Sequence, residues 1–134
     1  MLRQNQKGAA IIEFAIILPF LLLLLCGTIE FGLLFYNKQV VTNASREGAR
    51  AGITAKVSST EVKTIVTDYC LNRMVSLTDP IVIADKDVTV ISPDANNDLT
   101  VNVTLDYSLL FAPIIGVSST TISAQTIMRM ETPL

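Results

Sequence analysis

The sequence predicts an α+β chain built from a long N-terminal transmembrane helix that continues outward, a second helix and a small three-stranded antiparallel sheet. Three observations predict it. A run of apolar residues free of charge fills Phe14 to Ile29. A helix-start pattern, Ser58-Ser59-Thr60-Glu61, precedes apolar residues at helical spacing. After Asp79-Pro80 the apolar residues alternate with polar ones, the period of a half-buried strand.

The apolar run comes first. At ~1.5 Å per residue it spans roughly 24 Å, short of a ~30 Å hydrocarbon core, so flanking residues must complete the crossing. Gly27, Thr28 and Phe31 to Tyr36 extend the apolar character past Glu30, which predicts a single membrane helix over 9–36 with Glu13 and Glu30 near its two ends. Arg3 and Lys7 precede it without an acidic residue, which by the positive-inside rule leaves 1–8 as a cytoplasmic leader and 37–134 as an extracytoplasmic domain. A cleaved secretory signal needs small residues just past the apolar core, and Ala49-Arg50-Ala51 lies far downstream. A lipoprotein signal needs a small residue before its cysteine, whereas Leu25 precedes Cys26. A plain, unprocessed single-pass anchor is the remaining alternative.

Beyond the membrane, Val40, Val41, Ala44, Ala49 and Ile53 keep a helical spacing, so the anchor helix is expected to continue to about Ala55. Pro19 removes one backbone bond, to Ala15, and loosens the helix. Gly48 and Gly52 are poor helix formers, so fraying or a bend is expected near them. The second helix is expected from about Ser59 to Met74, capped by Ser59 or Thr60, with Val62, Ile65, Val66, Tyr69, Cys70 and Met74 on its apolar face. Cys70 reads as a buried free thiol, because Cys26 lies in the membrane.

Strands follow over Asp87 to Ser92 and Thr100 to Tyr107, the latter with Val101, Val103, Leu105 and Tyr107 on one face. Pro93 to Asp98 reads as the turn that makes them a hairpin. Asp94, Asn96 and Asp98 have the spacing of a calcium loop, but the glycine after Asp98 is missing and Leu105 stands where a bidentate glutamate is required. An apolar connection, Phe111 to Gly116, leads to a third strand in which Ile122, Ala124, Thr126, Met128 and Met130 share a face.

Composition bounds the function. The 134 residues carry a net charge of −2, no histidine and two cysteines. There is no basic field for nucleic acid, no ordinary zinc site and no histidine base for catalysis, so an enzyme is not expected and no cofactor is implied.

One motif carries chemistry: Lys7-Gly8-Ala9-Ala10-Ile11-Ile12-Glu13-Phe14 sets a glycine at the polar-to-apolar boundary and a glutamate inside a run that excludes charge. A lone carboxylate in a membrane costs several kcal/mol unless neutral or paired, which marks Glu13 as a candidate functional residue. Gly8, Glu13 and Phe14 resemble the prepilin processing motif in its Tad-pilus form. Glu30-Phe31-Gly32, the segment Asn43 to Gly52 and the segment Ile122 to Glu131 are likewise similar to the TadE family of minor pilins or pseudopilins.

The resemblance implies a bacterial inner-membrane subunit of a Tad-type pilus and secretion system, serving pilus biogenesis, adhesion and biofilm formation. Incorporation into the filament is left open. It implies cleavage by a prepilin peptidase between Gly8 and Ala9, where glycine eases unwinding of the helix start. It also implies that Glu13 neutralises the new amine at Ala9 of a neighbouring subunit. The expected partners are that peptidase, other pilin and assembly subunits met through the N-terminal helix, and membrane lipid.

Overall fold

The computed structural model describes residues 6–54, 57–78, 80–91 and 97–130. Its longest element is α1, Gln6–Ile53, 48 residues of continuous helix, about 72 Å long. Pro19 lies within it and does not end it. Neighbouring turns hold the helix when one backbone bond is lost.

Two regimes divide α1. Every side chain from Gly8 to Leu25 is exposed, whereas beyond it the buried positions are 30, 37, 40, 41, 44, 45, 48, 49 and 52. Steps of three, four and seven put these on one stripe, the signature of a helix with a partner on one side. The partner is the rest of the chain.

The second helix, α2, is Ser59–Leu71, and Ser58 is its cap, one residue before the two expected. The reason is reciprocal bonding: Ser58 Oγ accepts the Glu61 N–H at 3.3 Å, and the Glu61 carboxylate accepts the Ser58 N–H at 2.8 Å. A capping box requires a cap three residues before its glutamate, which only Ser58 provides. The helix also ends earlier than Met74, where the Asn72 backbone and side-chain N–H groups both donate to the Asp68 carbonyl. Val62, Val66 and Cys70 point inward.

Strands β1 (Val88–Ile91), β2 (Asp98–Ser108) and β3 (Ser119–Arg129) form an antiparallel sheet in the order β1-β2-β3. The expected alternation on β2 holds, with Val101, Val103, Leu105 and Tyr107 all buried. Ser92 and the turn residues 93–96 lie outside the described residues, and with them Asp94 and Asn96 of the calcium-loop spacing. Asp98 opens β2, and its carboxylate accepts from Arg129 Nε at 3.2 Å.

One core joins the three layers: Val41, Ala44 and Ala49 of α1, Val62, Val66 and Cys70 of α2, and the inward residues of the sheet. α1 runs through both Gly48 and Gly52 to Ile53, without the fraying expected near them. A Cβ built on Gly48 would sit 2.4 Å from Val66 Cγ2, and one on Gly52 would sit 2.4 Å from Leu99 Cδ2. The absence of a side chain lets α2 and the sheet approach the helix backbone.

Candidate functional site

Two stretches of α1 carry the candidate chemistry. In the first, Gly8, Ala9, Glu13 and Phe14 lie on the exposed N-terminal part of the helix. Glu13 follows Ala9 by four residues, so both occupy one face, about one turn apart. Among the described residues Glu13 makes no ion pair or hydrogen bond within the chain, and its carboxylate is presented outward. Among the described residues α1 begins at Gln6, and the Gly8–Ala9 bond lies within its helical backbone.

The second stretch fastens α1 to its own domain. Glu30 is only 6% exposed, although the sequence around it is apolar. Its carboxylate accepts the backbone N–H groups of Leu110 and Phe111, the latter at 3.1 Å. Two turns on, the Asn37 side chain is wholly buried and grips one backbone unit, accepting the Val75 N–H at 2.9 Å and donating to the Val75 carbonyl at 2.6 Å. Tyr107 Oη donates to the same carbonyl at 3.3 Å, and Tyr36 Oη donates to the Arg73 carbonyl at 3.1 Å. Farther out, Lys38 Nζ donates to the Ser123 carbonyl, and the hydroxyls of Ser45 and Thr126 are 2.7 Å apart.

Burial raises the Tyr107 phenol above its usual value, the nearby Glu30 carboxylate raises it further, and the Asn37 hydrogen bond opposes both. Burial also pushes the Cys70 thiol up to about 11, so it remains a thiol near neutral pH. Cys26 and Cys70 are both unbonded cysteines, as expected from their places in the sequence.

An exposed apolar helix that carries this glycine and glutamate is clamped farther along by a small outer domain. Residues 8–50 match the TadE-like protein family. The match associates the chain with the Tad pilus. No curated protein and no solved structure matches the chain.

The TadE-like segment begins on Gly8 and ends on Arg50, so it holds Glu13, Glu30 and most of the small-residue stripe that receives α2 and the sheet. The likeness in Ile122 to Glu131 lies beyond it. Within the TadE-like segment, sequence reasoning marked Glu30 only as a carboxylate at a membrane boundary and missed its grip on Leu110 and Phe111. A charge inside an apolar stretch was the signal available. Asn37 offered none, because a single asparagine in an outward helix reads as an exposed residue.

Proposed function

We propose that the chain is a structural, non-catalytic subunit of a Tad-type pilus, a minor pilin or pseudopilin anchored in the bacterial inner membrane with its sheet domain outside. The observation that carries this reading is the continuity of α1: one helix presents a fully exposed apolar surface at one end and is locked into a folded domain at the other. From Gly8 to Ile29 the helix is about 33 Å long, enough for a ~30 Å hydrocarbon core. From Glu30 onward its own domain covers one face, which favours an outer boundary near Glu30, below the Tyr36 limit suggested by hydropathy.

In this reading a prepilin peptidase unwinds the helix at Gly8, a poor helix former, and cuts between Gly8 and Ala9. Removal of the basic leader frees the Ala9 amine, and Glu13 of a neighbouring subunit pairs with it inside the packed helices, where charge without a partner is costly. The outer domain meets other pilin and assembly subunits, and the system serves adhesion and biofilm formation. The mass and N-terminal sequence of the protein from its native membrane test the proposal. A start at Ala9 that is lost in Gly8→Leu supports it, whereas a retained leader in the wild type leaves an unprocessed single-pass module and removes the Glu13 pairing.

A further inference from the structure

The connection between β2 and β3 lies much lower on α1 than the rest of the domain. Three contacts set the direction of β3 along the helix: Thr126 meets Ser45, Ser123 meets Lys38, and Leu110 and Phe111 meet Glu30. From Ser45 to Lys38 the helix descends about 10 Å, and from Thr126 to Ser123 the strand descends a similar distance. The two elements therefore run in the same chain direction, so the residues that precede β3, 109–118, reach the level of Glu30 and below. A groove of about 390 Å³ between them is walled by Leu23, Gly27 and Leu34 of α1 and by Phe111 and Val117 of the connection. Leu23 belongs to the part of α1 assigned above to the bilayer.

The chemistry of the connection suits that level. No charged residue occurs between Tyr107 and Met128. Leu110, Ile114 and Val117 are 44%, 72% and 45% exposed, an apolar outward surface on a loop, where polar residues are the rule. Its backbone is bonded internally: Glu30 accepts the Leu110 and Phe111 N–H groups, Ile114 N–H donates to the Phe111 carbonyl, and Gly116 N–H donates to the Pro113 carbonyl. Irregular backbone in an apolar medium requires internal partners of this kind.

We propose that the β2–β3 connection is a membrane-dipping wedge that enters the outer leaflet beside α1, so that the bilayer covers Leu110, Ile114 and Val117 and lipid chains fill the groove. Its attachment to Glu30 sets the depth and orientation of the domain on the membrane. The wedge rests on the membrane anchoring proposed above.

The chain contains no tryptophan, so single introduced tryptophans report their own surroundings. Full-length Ile114→Trp, Val117→Trp, Leu22→Trp and Ile127→Trp would be reconstituted in phosphatidylcholine–phosphatidylglycerol vesicles with and without brominated phosphatidylcholine. Leu22 reports the anchor, and Ile127, exposed on the sheet near the level of Ser45, reports the domain far from the membrane. The wedge predicts about a twofold loss of emission for Ile114→Trp and Val117→Trp in brominated lipid, as for Leu22→Trp, and none for Ile127→Trp. Quenching of Leu22→Trp alone, with the loop variants open to aqueous iodide, overturns the wedge and leaves the anchor. Loop variants shielded from both quenchers are covered by protein, which also overturns it. Absence of quenching at Leu22→Trp removes the anchor and the wedge together.

Discussion

At Gly48 two energies oppose each other. Replacing glycine by alanine inside a helix favours the helix by ~1 kcal/mol. The added Cβ, however, would stand 2.4 Å from Val66 Cγ2, and Val66 is fully buried with a stiff β-branched side chain. Overpacking of this kind costs ~1–3 kcal/mol, so the overlap outweighs the propensity gain. Gly48→Ala is predicted to destabilise the folded domain, measured as a lower urea midpoint for the full chain in detergent. Gly52→Ala should cost less, because the overlap at 2.4 Å is with the more flexible Leu99, while the stiff Val62 lies farther off at 3.2 Å. A rise in stability at Gly48→Ala would mean that the glycine is tolerated and not required by packing.

At the scale of the element, α2 depends on its first turn. Both hydrogen bonds from Ser58 hold the Glu61 carboxyl below its ordinary value of 4.5. A lowered folded value means that Glu61 contributes stability above pH 4.5, and that this contribution is lost as the pH falls through the lowered value. Glu61→Gln is predicted to lower the melting temperature modestly at pH 7 and to flatten its fall on acidification, read by circular dichroism from pH 7 to 3. An unchanged acid limb would show that the box adds nothing measurable to α2. The wholly apolar face of α2 was legible in the sequence, since Val62, Val66 and Cys70 repeat every four residues. Its cap was misplaced by one residue because three hydroxyl residues stand in a row, and only the reach of the Glu61 side chain selects among them.

The whole molecule is organised along α1, which carries an unpartnered apolar end and a partnered outer end on one rigid rod. Under the proposed pairing, Glu13 contributes at the contact between rods and nowhere within the chain's own fold. Glu13→Gln is therefore predicted to leave folding intact while lowering incorporation into filaments. A pair contributing about 1.4 kcal/mol at each contact corresponds to about a tenfold loss. Immunoblots of sheared filaments against membranes would measure it, and equal partition of variant and wild type would remove Glu13 from assembly.

The sequence by itself determined those features that depend on near neighbours in the chain: the charge-free run from Phe14 to Ile29, the four-residue spacing of α2, and the alternation of Val101, Val103, Leu105 and Tyr107. Periodicity is a local property, and burial follows it wherever one face meets a core. Only the tertiary structure decided what Glu30, Asn37 and Gly48 do. Glu30 and Leu110 are 80 residues apart in the chain, and Asn37 and Val75 are 38 apart. Their meeting depends on how closely α2 and the sheet settle against α1, a distance fixed by the small residues along its buried stripe and absent from any local pattern.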